Sequence, residues 1–217
     1  MVIVGLLGGI ASGKSLIAEE FQRLGACVLD GDKAGHEVLE MEPVVRKLVE
    51  RWGEGILSEG KIDRRALAEI VFRAKTEPDS ESGEAPKQSD SLDPQAELEF
   101  LESLTHPLIG KLLQERIAKI RESQRFEIVV LDAAVMIKSG WHKQCDRIIF
   151  IDVPQELREK RAILRGLSRH QFFMRERSQT PIEEKKKLAD MVIDNSGPPQ
   201  KTYKQVEEVW HSLLQIA

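Results

Sequence analysis

Five short stretches of the chain are almost wholly apolar. "VIVGLL" (Val2 to Leu7) has no polar side chain, which predicts a strand covered on both faces rather than one wetted on alternate residues. "ACVLD" (residues 26–30), "EIVVLD" (Glu127 to Asp132), "RIIFIDV" (Arg147 to Val153) and the shorter "MVIDN" (Met191 to Asn195) read the same way. Between them the period lengthens. Leu16, Ile17, Phe21 and Leu24 recur at helical spacing, and Gly25 is placed to end that helix. Strands alternating with helices predict a mostly parallel sheet with helices on both faces. Val206, Val209, Trp210, Leu213 and Leu214 form the stripe of an amphipathic terminal helix, expected to pack into the core.

Helix starts are marked by residues that accept from exposed backbone N–H groups. "TPIEE" offers Thr180 as cap with Pro181 in the first turn and Glu183 three residues on. Ser168 and Gln171 repeat the pattern, and Asp63 can cap "RRALAEIVF". Two regions break the alternation. Roughly a hundred residues separate the second strand from Glu127 and read mainly as helices, too many for one crossover, so an inserted helical lobe is expected. Within it, Glu77 to Gln95 is rich in Ser, Pro and acidic residues, which predicts a mobile loop. Arg158 to Lys187 reads as a charged helical hairpin.

The length of 217 residues suits one domain with inserted lobes. A net charge of −4 argues against a nucleic-acid binder, which shows a basic excess. Cys27 and Cys145 form no CxxC pair, so reduced thiols are expected, not a disulfide scaffold or a zinc cluster. "MVIVGLLGG" lacks a basic leading segment and reads as a strand, and no run of ~18 apolar residues suggests a membrane span. A cytoplasmic protein is the default expectation.

One motif carries specific chemistry. Gly8, Gly13, Lys14 and Ser15 satisfy G-x-x-x-x-G-K-[ST], after a buried strand and at the opening of a helix. Glycines let the backbone curl so that N–H groups point at phosphate oxygens, and the helix start adds its positive dipole end. Lys14 is expected to reach the β and γ phosphates and the Ser15 hydroxyl to complete a magnesium shell. No N-K-x-D guanine-reading sequence is present. Ligands of open α/β sheets bind beyond the carboxyl ends of strands. "LDGDK" therefore brings Asp30 and Asp32 near the γ-phosphate, where a carboxylate can take a proton or help hold magnesium. Asp30 reads equally as the cap of the helix that follows; Asp32 is favoured for catalysis. Arg158, Arg161, Arg165 and Arg169 are spaced to share a helix face, although Gly166 is expected to end that helix after the first three. At least one should meet the transferring phosphoryl group, the rest forming a solvated charged face.

"GLLGGIASGKS", "LDGDKAGHEVLE", "GKIDRRALAEIVF", "LTHPLI", "RGLS" and "EEKKKLADMVIDNSG" occur in this order, and in them the chain resembles the dephospho-CoA kinases. The resemblance covers nearly the whole chain. It implies an α/β, three-layer P-loop NTPase fold with a five-stranded, mostly parallel sheet, an inserted helical substrate lobe and a helical lid. The nucleotide core would comprise residues 1–32, 124–157 and 188–217, the acceptor lobe 33–123 with its acidic loop 77–95, and the lid 158–187. The implied reaction moves the γ-phosphoryl of ATP to the 3′-hydroxyl of the dephospho-CoA ribose, with magnesium as cofactor. The implied catalytic residues are Asp32 as base, Lys14 and the lid residue Arg165. ATP contacts would come from Gly8, Gly9, Ile10, Ala11, Ser12, Gly13, Lys14, Ser15 and Leu16, with Arg165 and, near the adenine, Asn195. Asp32, Arg64, Leu67, Phe72 and His106 would meet the acceptor, and Ser15 the metal. ATP and dephospho-CoA are the expected partners, without nucleic acid or membrane, and a monomer is expected. Many members of the family carry D-x-P-L-L-[FY]-E where this chain has "DAAVMIK", with Ala134 and Lys138 as departures from that pattern. A nucleoside monophosphate kinase and a non-catalytic nucleotide switch are the competing readings.

Overall fold

The computed structural model describes residues 1–72 and 93–217. Along the chain run β1 (Val2–Gly8), α1 (Lys14–Leu24), β2 (Cys27–Asp30), α2 (Gly31–Leu39), α3 (Glu42–Trp52), β3 (Leu57–Ser58), β4 (Lys61–Ile62) and α4 (Arg64–Val71). They are followed by α5 (Pro94–Ser123), β5 (Ile128–Asp132), β6 (Arg147–Asp152), α6 (Gln155–Leu164), α7 (Arg169–Ser178), α8 (Ile182–Lys187), β7 (Met191–Asp194) and α9 (Pro199–Leu214).

The five expected strands form one sheet in the order β2-β5-β1-β6-β7, with every neighbouring pair parallel. β1 lies in the middle and is buried along its whole length, as an unbroken apolar run requires when both faces are covered. Its residues alternate between two layers. Val2, Val4 and Leu6 join Ile17 and Phe21 of α1 and Val206 and Leu213 of α9 in one core cluster, against which Val209, Trp210 and Leu214 pack. On the other face a side chain at Gly5 would run into Ile148, Met136 and Cys145. The sheet ends in a row of chemically useful positions: β1 at Gly8 and β2, β5, β6 and β7 each at an aspartate, Asp30, Asp132, Asp152 and Asp194.

Several local signals form as expected. Gly25 closes α1 in the left-handed conformation. Asp63 accepts from the Arg65 N–H, and Ser168 and Gln171 make a reciprocal capping box. The Thr180 cap does not form: α8 starts at Ile182 with Pro181 in the cap position, whose carbonyl accepts from the Glu184 and Lys185 N–H groups. Two short strands inside the lobe, β3 and β4, were not expected from its helical pattern. They pair across Glu59 and Gly60, both at positive φ (51° and 78°), the conformation of a tight hairpin turn. Of the acidic stretch expected to be a loop, residues 77–92 lie outside the described residues. Its end is helical: Asp93 Oδ1 accepts from the Gln95 N–H, and Pro94 opens α5, where its missing N–H costs nothing.

The chain divides into two compact units, Met1–Lys33 with Gly110–Ala217, and Ala34–Ile109. The second has a core of its own that includes Val44, Leu48, Ile56, Leu67 and Val71. Among its described residues one carboxylate is deeply buried, Glu97, which accepts from Arg51 at 2.6 and 2.9 Å and from the Trp52 indole at 2.7 Å. The Arg51 bonds hold that carboxyl below the usual range. Among the described residues no helix is long and apolar enough to cross a membrane.

Candidate active site

In the loop between β1 and α1, every residue but Ile10 has a small side chain or none. Ala11 (φ 57°) and Gly13 (φ 92°) are left-handed, and such residues turn successive N–H groups toward one concavity. Gly13 is the cap of α1 and offers no side chain to the exposed N–H groups of the first turn, which also contains no acidic residue. The positive end of α1 therefore faces the loop unopposed. Ser12 Oγ is buried, with no hydrogen-bond partner among the described residues.

Lys14 is the first residue of α1. Burial pushes its ammonium below the ordinary lysine range, partly offset by Asp132 and Asp32. Asp132, at the end of β5, is pushed up by burial, with Lys14 pulling it back. The sheet explains this meeting: β5 lies between β1 and β2, and Asp132 pairs in register with Leu6 on one side and Asp30 on the other. The two readings of Asp30 resolve toward a cap, since its Oδ1 accepts from the Asp32 and Lys33 N–H groups, each at 2.9 Å. Asp32 is exposed on the first turn of α2, and Ser15 is exposed on α1.

A second set of charges closes on the loop from α6, α7 and α8. Lys185 is buried and donates to Gly8 O at 3.1 Å and to Gln179 Oε1 at 2.7 Å. Burial, helped by Lys14 nearby, lowers it to about 8. Arg158, also buried, donates from Nε to Val153 O at 3.1 Å and from Nη1 to Glu176 Oε1 at 2.6 Å. Its guanidinium lies against Gly9, where any Cβ would overlap it. Removing one member of a buried pair strands the other, at a cost of ~3–5 kcal/mol, whereas an apolar replacement of both is close to neutral. Glu176→Ala is thus expected to lose about 3 kcal/mol in urea unfolding, and the Arg158→Met, Glu176→Leu double variant to regain most of it. Equal losses in the two proteins would show that the pair is not a unit.

The arginines expected on one face part company. α6 ends at Leu164, and Gly166 follows at φ 89°. Arg158 is internal, Arg161 donates to Asn195 O at 2.9 Å, and Arg169 pairs with Glu159 at 2.8 Å. Arg165 stands exposed just past the end of α6. Asn195, expected among the nucleotide contacts, is buried; its Nδ2 donates to Ser12 O at 2.8 Å, and its Oδ1 accepts from Thr202 at 2.9 Å. Both polar atoms of its side chain are committed to protein. In the second unit, Arg64 is exposed at the start of α4 with Nη1 2.8 Å from His36 Nε2. Phe72 is 64% exposed at the end of α4, and His106 is half-buried on α5. Leu67 is buried within that unit.

Asp132, Glu176, Lys185 and Thr202 are absent from the sequence-based site, and Arg158 enters it only as one of four candidate arginines. Only Asp132 carried a usable signal, as a carboxylate ending a buried strand. Ala134 and Lys138 are both exposed.

The comparisons with known proteins point to one family. A model of the dephospho-CoA kinase family matches residues 2–80 and 91–200. The chain belongs to that family. A dephospho-CoA kinase of Aquifex aeolicus (strain VF5) is 39% identical over 212 residues, covering 97% of this chain and 96% of the other. The crystal structure of TT1252 from Thermus thermophilus superimposes with a TM-score of 0.75 at 30% identity, covering 98% of this chain and 97% of that one. The dephospho-CoA kinase from Campylobacter jejuni gives 0.60 at 26% identity, covering 97% and 96%. As a member of the dephospho-CoA kinase family, the chain is a kinase built on the P-loop fold that its sheet order and loop display.

Proposed function

We propose that this protein transfers the γ-phosphoryl group of ATP to the 3′-hydroxyl of the dephospho-CoA ribose, releasing ADP and coenzyme A. The observation that carries the reaction type is Lys14 as the first residue of α1, directly after the left-handed Gly13, with Asp132 and Asp32 acting on its ammonium. Family membership carries the acceptor. The loop Gly8 to Leu16 cradles the phosphates, with Lys14 countering charge that builds on the transferring group. Asp32 accepts the proton of the ribose hydroxyl as its oxygen bonds to phosphorus and the bond to the β,γ-bridging oxygen breaks. Arg165 meets the triphosphate from the lid segment 158–187. Arg64, Phe72 and His106 hold the acceptor in the helical lobe, with Leu67 supporting them through the core.

Magnesium fits the oxygen donors present. The described residues contain no cluster of three or more His, Cys, Asp or Glu side chains able to cage a metal, but magnesium prefers one or two protein oxygens plus phosphates and water. Ser15 and Asp132 would be those donors, and an ion held by them would supply positive charge to the β and γ phosphates of ATP. Steady-state turnover with dephospho-CoA, AMP, CMP and UMP as alternative acceptors tests the assignment. Dephospho-CoA is expected to be phosphorylated and the three monophosphates largely ignored. A preference for a monophosphate would point to a nucleoside monophosphate kinase, and nucleotide binding without transfer to a switch.

A further inference from the structure

The phosphate loop is gripped from behind. A trans peptide points its C=O and the following N–H in opposite directions. Whatever captures a loop carbonyl therefore fixes where the next residue's N–H points. Three loop carbonyls are captured: Gly8 O by Lys185 Nζ at 3.1 Å, Gly9 O by the Ser12 N–H at 3.2 Å, and Ser12 O by Asn195 Nδ2 at 2.8 Å. The N–H groups so directed belong to Gly9, Ile10 and Gly13. Two of the three captures come from side chains far along the chain, on α8 and just beyond β7.

Asn195 is itself held on two sides. Thr202, fully buried on α9, donates to its Oδ1 at 2.9 Å, and Arg161 donates to its backbone carbonyl at 2.9 Å. Ser12 O can only accept, so it takes Nδ2, and the Thr202 hydroxyl, donating to Oδ1, holds the amide in that orientation. The fit allows little play: a Cβ at Gly13 would overlap Asn195 Nδ2. We propose that Thr202, Asn195 and Lys185 are positioning residues for ATP, which set the direction of the Gly9 and Gly13 N–H groups and thereby the affinity for the polyphosphate. This rests on the reading of the loop as the ATP cradle.

Titration calorimetry with magnesium-ATP, magnesium-ADP and, separately, dephospho-CoA tests it on the whole protein, with melting followed by circular dichroism. Thr202→Val keeps the shape, removes the hydroxyl and leaves the Asn195 amide without its guide. It is expected to weaken ATP and ADP by about tenfold or more, the range typical of removing a support behind a ligand group, with dephospho-CoA affinity unchanged. Thr202→Ser, which restores the hydroxyl, is expected to recover the wild-type nucleotide affinity. Unchanged nucleotide affinity in folded Thr202→Val, or equal weakening of nucleotide and acceptor, would overturn the inference alone. Should Thr202→Val not fold, Lys185→Met is read by the same criteria. A wild-type protein without affinity for ATP would overturn the reading of the loop, and the inference with it.

Discussion

Asp32→Asn is expected to bind magnesium-ATP as the wild type does and to phosphorylate dephospho-CoA at least ~100-fold more slowly, the lower bound for loss of a general base. The local structure makes this a clean substitution. Asp30, not Asp32, carries the start of α2, with two hydrogen bonds of 2.9 Å to the backbone. Asp32 is exposed on that turn, so an amide of the same shape leaves the helix intact. A ribose hydroxyl must lose its proton as phosphorus arrives, and an amide cannot take it. Because phosphoryl transfer has a loose transition state, part of the loss is orientation rather than basicity. Asp132 is the competitor. Burial raises it and Lys14 faces it, which suits a group that works with cations. Asp132→Asn should therefore raise the magnesium concentration needed for half-maximal rate. Full activity in Asp32→Asn, with the rate lost in Asp132→Asn at saturating magnesium, would move the base to Asp132.

Lys14→Met is expected to lower kcat/KM for ATP by about 10²–10³, the usual loss when a donor to developing charge is removed. The same variant is expected not to melt earlier than the wild type. Burial already holds the Lys14 ammonium below the ordinary range, so its charged form is disfavoured in the fold, and an unbranched apolar side chain relieves that. The effect on Asp132 has a definite sign. Lys14 is the leading influence holding the Asp132 carboxyl down against burial; without it, the apparent carboxyl pKa followed by NMR should move further up. Near-normal turnover would remove the phosphate-binding role of the loop, and a clearly lower melting temperature would show Lys14 to be structural.

The sheet and the loop are legible in the sequence because each depends on local pattern. Unbroken apolar runs specify strands covered on both faces, and the glycine spacing with Lys14 and Ser15 specifies a loop between a strand and a helix. Caps formed by Asp63 and Ser168 are legible for the same reason. What escapes depends on tertiary neighbours. In "EEKKK" nothing marks Lys185 as the buried one; that follows from how α8 meets the end of β1. The arginines of α6 look alike until the helix packs and Arg158 alone is internal, against Gly9 and Glu176. Asn195 reads as a ligand because its segment belongs to the nucleotide core. Its partners Ser12 and Thr202 are visible only once β7 lies beside β6 and α9 has returned to the sheet. The short β3–β4 hairpin is hidden because two-residue strands leave no period to detect.

The most direct measurement of the central claim is phosphorus NMR of the reaction mixture with ATP, magnesium and dephospho-CoA. For each ATP consumed, one ADP and one new phosphomonoester on the 3′-oxygen of the acceptor ribose are expected, with no matching release of inorganic phosphate. ADP accompanied by inorganic phosphate and unmodified dephospho-CoA would contradict the account.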